Sequence, residues 1–318
     1  MSNKFIVTVS PHIRDNSTTS KIMLDVVIAL MPALVISVLV FGARSLAVVA
    51  VCVGVAVLCE WGFEKICGRP NTIGDLSAVV TGVILAYNLP VGIPLWQAAF
   101  GSFVAIVVVK QLFGGIGMNF ANPAITARIV MLIAFSQTMT TWVIPQPWFG
   151  PEIVSGATDI VSTATPLAVI AAGGAHELNL LDLFVGSCGG SLGETSALAL
   201  LIGGVYLIVR KVIQWHTPVA FIGTVFVLTA ILGESPVQQV LSGGLMLGAI
   251  FMATDYSTTP STPWGRVIFG IGCGLITVLI RVWGNYPEGV SFSILLMNIL
   301  APYISGWTRS KPFGGAKA

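Results

Sequence analysis

The chain of 318 residues is poor in charge, because only 9% of its residues are Asp, Glu, Lys or Arg and 55% are hydrophobic. So few charged groups cannot cover a water-soluble globule of this length, and lipid must form part of the solvent. The net charge is only +2, and no basic cluster with interleaved aromatics is present, which argues against nucleic acid as a partner. The composition predicts a polytopic membrane protein.

The sequence has no closely spaced cysteines, and its first residues do not predict a secretory signal. Its cysteines are scattered, mostly inside apolar runs, so we expect small core residues rather than a metal site: Cys52, Cys59, Cys67, Cys188 and Cys273. Residues 1–21 are polar and contain no apolar segment with a small-residue cleavage site, so they do not predict a signal peptide. The first membrane helix is expected to begin at about Ile22.

Apolar runs that could cross about 30 Å of hydrocarbon, or form part of such a crossing, recur along the chain. They predict ten helices, at residues 22–41, 46–63, 76–89, 95–112, 124–143, 196–212, 218–232, 237–253, 267–282 and 290–304. The expected fold is an all-α polytopic membrane protein. Its segments are an N-terminal segment (1–21), a five-helix repeat (22–143), a loop (144–195), a second five-helix repeat (196–305) and a tail (306–318).

The basic residues favour one orientation. With a cytoplasmic N-terminus, all but two of the 15 Lys and Arg residues, Arg128 included, fall on the inner side, and Arg44 and Arg281 fall outside. This obeys the positive-inside rule. Most tryptophans fall at predicted helix ends, as interfacial belts require. Both termini are therefore expected in the cytoplasm, and residues 144–195 on the extracytoplasmic side.

The two halves show a common order of features. Ser77 begins an apolar run that leads through a proline-rich turn to a helix closed by Lys110, and Ser242 begins a similar order that ends at Arg281. Because five helices precede the loop, the second half would enter the membrane from the opposite face, as an inverted repeat of the transporter kind. Chance similarity between two apolar halves is the alternative.

Two glycine-rich segments interrupt the helical pattern. Residues 113–123 place glycines, asparagines and a proline at membrane depth, where their backbone groups would be unsatisfied in lipid. The segment must therefore pack inside protein or line a polar cavity, and a plain loop among the headgroups is the alternative. Its candidate site residues are Gly114, Gly115, Asn119 and Asn122. The fifth helix would start at Pro123 with free NH groups. Four further candidates precede the sixth helix: Gly193, Glu194, Thr195 and Ser196. They could cap this helix, or they could form a pocket for a phosphate or an aromatic ring.

A polar tandem, EIVSGATDIVSTATPL, occupies residues 152–167, within the longest span that has no Lys or Arg, residues 129–209. Thr165 precedes Pro166, which favours an extended conformation and can present the hydroxyl to solvent. No His lies close by in sequence to activate that hydroxyl. Thr165 is therefore expected to be a modification acceptor rather than a catalyst, and a solvated loop is the alternative.

The run of residues 159–165, with Asp159, Ser162 and Ala164 before the final Thr165, resembles the flavinylation site of the D subunit of Rnf complexes and the B subunit of sodium-pumping NADH:quinone reductases. The resemblance extends to residues 10–12, 114–123, 193–196, 251–255 and 286–290 and to Asn298. Thr163, where the quinone reductase usually has Gly, and the proline after the acceptor favour the Rnf D subunit. In these families the final Thr carries FMN through a phosphoester.

The tandem offers two acceptors. Thr158 ends a copy of the short core of the motif, but Glu152 stands where the family has Asp. Thr165 has Asp159 six residues earlier and Pro166 after it, as in Rnf relatives. We therefore expect the FMN on Thr165, with Thr158 as the second choice.

The resemblance implies an electron carrier of a complex that couples electron transfer between ferredoxin and NAD to translocation of Na⁺ or H⁺. It implies a second, non-covalent riboflavin, for which the residues at 114–122, 193–196 and 255 are candidate surroundings. Asp255 could instead handle the coupling ion or be merely interfacial. Expected partners are the other subunits, a flavin transferase and membrane lipid, in a bacterial or archaeal cell membrane.

A secondary transporter or channel for a small solute is the rival class, and a membrane scaffold is a third. The transporter explains the broken helices and Asp255 but gives the polar tandem no role. The scaffold explains neither. No metal site and no independent catalytic site are expected.

Overall fold

The computed structural model describes residues 18–143, 164–174, 178–186, 188–284 and 288–309. All regular elements among them are helices. The first half contains α1 (Thr19–Phe41), α2 (Ala43–Cys67), a 3₁₀ turn (Ile73–Asp75), α3 (Ser77–Tyr87), α4 (Leu95–Phe103) with a π-helical continuation (Val104–Gln111), α5 (Pro123–Ala134) and α6 (Ser136–Met139).

The described part of the loop contains α7 (Pro166–Ala171) and α8 (Leu180–Val185). The second half contains α9 (Ala197–Val209), α10 (His216–Ile231), α11 (Pro236–Leu241), α12 (Leu245–Leu247) with a π-helical continuation (Gly248–Met252), α13 (Pro263–Trp283) and α14 (Val290–Trp307). By length and composition, α1, α2, α13 and α14 could each cross a membrane, and five shorter apolar helices accompany them.

Most predicted spans agree with the observed helices to within about four residues at each end, but two differ by a break inside the span. The fifth is predicted to reach residue 143, but α5 ends at Ala134, because Phe135 leaves helical geometry at φ −130° and ψ 45°. The eighth is predicted to be continuous over residues 237–253, but it is divided between α11 and α12 at Ser242, whose ψ of 145° is extended. Both differences are backbone breaks that an apolar composition conceals.

The helices pack closely where small residues face a neighbouring backbone. A Cβ on Gly203 of α9 would overlap the carbonyl oxygen of Ala29 on α1, and a Cβ on Gly270 of α13 would lie 2.9 Å from the carbonyl oxygen of Thr217 on α10. In membranes, such small residues allow helix backbones to approach each other and gain van der Waals contact. The pairs α1–α9 and α10–α13 form in this way, and one apolar core extends through both halves.

The described tryptophans near helix ends are largely exposed, with Trp264 and Trp307 at 75% and 82%. The expectation for the cysteines holds only in part. Cys52 and Cys273 are buried, but Cys67 is exposed at the end of α2, and Cys59 and Cys188 are partly exposed. The helix ends directly after Cys67, because the next residue, a glycine, adopts a left-handed conformation.

Candidate functional site

The first break in the helical pattern precedes α5. Asn122 caps this helix, since its side-chain oxygen accepts from the backbone NH of Ala124 at 3.0 Å, and Pro123 occupies the first helical position, as predicted. Gly114 and Gly115 have φ of 124° and 96°, in the region that favours glycine. They shape the turn that carries the chain from the π helix towards Asn122.

The second break follows the π helix Gly248–Met252. There Asp255 accepts hydrogen bonds from the hydroxyls of Ser257 and Thr258 at 3.0 and 3.3 Å. The side-chain nitrogen of Asn122 donates to the carbonyl of Met252 at 3.4 Å. The two breaks, one in each half of the chain, therefore meet.

A cavity of about 490 Å³ opens where they meet; we call it the broken-helix cavity. Its lining includes Ser77, Lys110, Asn119, Asn122, Phe251 and Asp255. The side-chain oxygen of Asn119 is buried there and has no hydrogen-bond partner among the described residues. The volume and mixed lining are those of a small-molecule site, with an acceptor left over for a ligand donor.

A buried ion pair adjoins this cavity. The ammonium group of Lys110 donates to Glu60 at 2.6 Å and to the hydroxyl of Ser77 at 2.6 Å, and Gln111 donates to the same Glu60 oxygen at 2.8 Å. Lys110 and Glu60 are 2% and 0% exposed. Charge this deep must be paired, because an isolated buried ion costs several kcal/mol or more.

Thr165 lies at the N-cap of α7. Its backbone is extended, with φ −66° and ψ 154°, as the following Pro166 predicts. Its hydroxyl oxygen accepts from the backbone NH of Ala168 at 3.2 Å. Because the oxygen acts as an acceptor, a phosphoryl group could replace the hydroxyl proton without removing this bond.

A second cavity, of about 340 Å³, lies beside Thr165; we call it the threonine cavity. Its apolar walls include Ile129, Leu132, Met139, Trp142 and Phe292. Among the lining residues that the structure describes, Arg128 and Glu288 carry the charges. An aromatic ring with polar or anionic groups would find both apolar contact and charge here.

Arg128 is the centre of a buried network. One terminal nitrogen donates to Asn88 and Ser291 at 2.9 and 3.0 Å. The other pairs with Glu288 and, at 3.4 Å, with Glu194. The guanidinium therefore ties α3 and α5 of the first half to the beginnings of α9 and α14 in the second.

This network bears on one expectation. The charge pattern groups Arg128 with the inner basic residues, whereas its partners Asn88, Glu194 and Glu288 stand at the ends of segments that the same threading places on the outer side. In the structure Arg128 is buried in α5, about a turn and a half from its start, so it does not flank a span as the other inner basic residues are expected to. A charge within an apolar run is itself a sign of a functional or paired group, and this sign applies to Arg128 and also to Glu60, which the sequence analysis did not single out.

The four predicted residues before α9 comprise a helix cap, two residues of a cleft and a packing position. Ser196 caps α9 by accepting from the NH of Ala199 at 3.3 Å, and Glu194 and Thr195 border a narrow cleft that also reaches Thr165. A Cβ on Gly193 would overlap the side chain of Tyr87, so the ring that this glycine accommodates belongs to the chain itself.

One of the remaining predicted residues lines a cavity, and the others fall outside both cavities or outside the described part of the chain. Gly114 and Gly115 are not among the described lining of the broken-helix cavity. Thr158, Asp159 and Ser162 lie outside the described residues, whereas Ala164 lines the threonine cavity.

Apolar helices, two broken segments that meet, and paired charges inside the bundle define a polytopic membrane protein with internal cavities. The model of the NQR2, RnfD, RnfE family matches residues 6–314, and the chain belongs to this family. It is 48% identical to the D subunit of the Na⁺-translocating ferredoxin:NAD⁺ oxidoreductase complex of Acetobacterium woodii, over 98% of this chain and 96% of the relative.

Two further relatives agree. The D subunit of the proton-translocating ferredoxin:NAD⁺ oxidoreductase complex of Clostridium ljungdahlii is 41% identical, over 98% of this chain and 97% of the relative. The D subunit of the ion-translocating oxidoreductase complex of Stutzerimonas stutzeri is 39% identical, over 94% of this chain and 93% of the relative. The resemblance to the D subunit of Rnf complexes is confirmed.

Proposed function

We propose that the chain is the membrane electron-carrier subunit of an Rnf-type complex, in which electron transfer between ferredoxin and NAD is coupled to ion translocation. Two relatives that are named as such subunits align with this chain over almost their whole length. The chain acts as part of a translocase with the other subunits. The two named relatives differ in the ion, Na⁺ in one and H⁺ in the other, so membership of the family does not determine the ion.

The covalent cofactor in this proposal is FMN, esterified to Thr165. The observation that carries it is the position of the Thr165 hydroxyl, which caps α7 as an acceptor and lies at the lining of the threonine cavity. Trp142 and Phe292 offer flat or edge contacts to a flavin ring, and Arg128 offers positive charge to the phosphate. The residues therefore fit the group, which when bound supplies reversible one- and two-electron chemistry.

The second cofactor in the proposal is a non-covalent riboflavin in the broken-helix cavity. The buried oxygen of Asn119, without a partner among the described residues, fits a ring NH donor. Phe251 supplies apolar surface, and Lys110 and Asp255 supply charge of opposite sign at the lining. Asp255 could serve the flavin or the coupling ion in this cavity.

The inverted repeat is part of the same proposal. The common order of Ser77 and Lys110 in one half and Ser242 and Arg281 in the other is accompanied by contacts: Lys110 donates to the hydroxyl of Ser77 at 2.6 Å, and Arg281 donates to the backbone carbonyl of Ser242 at 3.2 Å. In each half the basic residue that ends the order therefore bonds the serine that begins it, although to a different group, and this supports an inverted five-plus-five repeat. The cytoplasmic termini and the extracytoplasmic loop belong to this proposal as well.

In-gel flavin fluorescence of the denatured complex tests the covalent site, since only a covalent flavin survives SDS. We expect a fluorescent band for the native subunit and for Thr158→Val, and a dark band for Thr165→Val. Loss of the signal only in Thr158→Val would move the site to Thr158. A dark native band would refute covalent attachment and favour the transporter.

A separate flavin transferase is also part of the proposal, because no activating base is bonded to the Thr165 hydroxyl among the described contacts. We expect a dark band when the protein is made in a host that lacks such an enzyme. Co-expression of a flavin transferase should restore the fluorescence. Labelling without the enzyme would contradict this part of the proposal.

A further inference from the structure

We propose that Arg128 and Glu288 set the reduction potential of the flavin on Thr165, with Arg128 raising the potential and Glu288 lowering it. This inference rests on the proposed function, because it requires the flavin to occupy the threonine cavity. It assigns a tuning role to two residues that lie outside the flavinylation motif.

The lining of the threonine cavity carries little charge besides these two residues. Apart from Arg128 and Glu288, the described lining consists of apolar side chains, small residues and the hydroxyls of Thr140, Thr165 and Ser291. Apolar walls keep the local dielectric low, so a unit charge acts on the cavity contents far more strongly than it would in water. Among the described lining residues, Arg128 and Glu288 therefore exert the main electrostatic influence on whatever occupies the threonine cavity.

The guanidinium of Arg128 is held rigidly. Arg128 is 3% exposed, and its bonds to Asn88 and Ser291 hold one terminal nitrogen through neutral groups. The other nitrogen is shared between two carboxylates, Glu194 and Glu288. Neutral partners therefore fix the position of the Arg128 guanidinium, while the carboxylates of Glu194 and Glu288 determine how much of its charge is neutralised.

The two acids differ in where they lie. The side chain of Glu288 is 23% exposed and lines the threonine cavity, whereas that of Glu194 is 5% exposed and is not among the residues that line it. Neutralising Glu288 would leave more of the Arg128 charge uncompensated at the cavity. Neutralising Glu194 would act on the cavity only through Arg128.

A second buried arginine, Arg281, has a different role. It donates to the backbone carbonyls of Gln239 and Ser242 at 2.5 and 3.2 Å, and it is not among the residues that line the threonine cavity. Its contacts hold the backbone of the α11–α12 break. The electrostatic role therefore falls to Arg128 rather than to Arg281.

The sign of the effect follows from the charge of the reduced flavin. Each electron that arrives from the donor of the complex adds one negative charge to the flavin unless a proton accompanies it. A positive charge at the wall stabilises the reduced form relative to the oxidised form, and a negative charge does the reverse. Glu288→Gln should therefore raise the potential. Because Gln keeps the shape and an oxygen acceptor for Arg128, the fold should tolerate the change.

A redox titration of the covalent flavin in the assembled complex tests the tuning role. For Glu288→Gln we expect at least a tenfold increase in the ratio of reduced to oxidised flavin at a fixed ambient potential, which is about 30 mV for two electrons. The double variant Arg128→Gln with Glu194→Gln removes one charge of each sign, and it should lower the ratio because only Arg128 lines the cavity. The matched control is Glu234→Gln, because Glu234 lines neither cavity.

In-gel fluorescence of each variant separates the two levels of the proposal. A dark native protein would refute the covalent flavin itself. A fluorescent band with an unchanged or lowered ratio in Glu288→Gln, or a raised ratio in the double variant, would refute the tuning role alone. An equal rise in Glu234→Gln would also refute it, because the effect would then be one of overall charge.

Discussion

The buried pair of Lys110 and Glu60 offers a strong test of how charge is accommodated in this fold. Lys110→Met removes the ammonium group but keeps most of the apolar stem. It leaves the Glu60 carboxylate, which is fully buried, without its cation. One of the Glu60 oxygens already has no partner among the described residues.

The expected cost follows from the remaining contacts. Breaking a buried ion pair by removal of one partner destabilises proteins by about 3–5 kcal/mol, since an uncompensated charge stays behind. Gln111 still donates to Glu60 at 2.8 Å, whereas the single proton of the Thr72 hydroxyl is held by the closer carboxylate of Glu64. One remaining donor offsets part of the loss, so we expect a cost of about 3–4 kcal/mol.

The double variant Lys110→Met with Glu60→Gln removes both charges and should recover most of that loss, because replacing a buried pair by neutral groups is often close to neutral in free energy. The assay is the temperature at which half of the detergent-solubilised complex is lost from its size-exclusion peak. Lys65→Met, on the same helix as Glu60, is the control, because Lys65 is exposed. A double variant as unstable as the sum of the two single variants would refute the reasoning.

Three further variants test the packing and the cavities. Gly203→Ala should lower the same midpoint temperature strongly, because its Cβ would overlap the Ala29 carbonyl. In the control Gly223→Ala the new Cβ meets no described atom within 4 Å, so the midpoint should stay the same or rise. Equal effects of the two variants would contradict the α1–α9 packing. Asn122→Ala should cost about 1 kcal/mol through loss of the α5 cap and lower the riboflavin released on denaturation, measured by chromatography. The control Asn71→Ala, at an exposed turn, should keep its riboflavin. Tyr87→Phe should lower the stability by about 1 kcal/mol and so lower the midpoint temperature, because the Tyr87 hydroxyl donates to the Leu30 carbonyl at 2.7 Å. An unchanged midpoint would show that this buried bond is dispensable.

Much of the helical layout is predictable from the sequence, because long apolar runs and capping residues act locally. Pro123 begins α5 and Ser196 caps α9, as their residue types indicate. The division between α11 and α12 is not predictable in the same way. Ser242 and the glycines after it interrupt the helix in a run whose mean composition is still apolar.

The site is predictable only in its motifs. Thr165 and Asn122 stand in recognisable segments, and their backbone roles follow from their neighbours. The Arg128 network is not predictable, because its bonds to Asn88 and Ser291 join residues 40 and 163 positions apart in the chain. Such contacts depend on how the halves are placed together, and no local pattern encodes that placement.

The two cavities are joined by the same two helices, which bears on how electrons could move between them. On α5, Ala124 lines the broken-helix cavity and Arg128 lines the threonine cavity. On α3, Ile84 lines the broken-helix cavity, and Asn88, which follows the helix, binds Arg128 beside the threonine cavity. Four residues of an α-helix rise about 6 Å, so the α5 residues that line the two cavities lie about one turn apart along the helix.

This closeness restricts the choice of mechanism. Flavins in both cavities would exchange electrons through packed side chains of α3 and α5, without a carrier that moves between them. A transporter with the same cavities would instead need a continuous path for its solute between them. The bonds of Arg128 to Asn88 and Ser291 tie together α3, α5 and α14 beside the threonine cavity. The proposed function, with a flavin in each cavity, requires no such path.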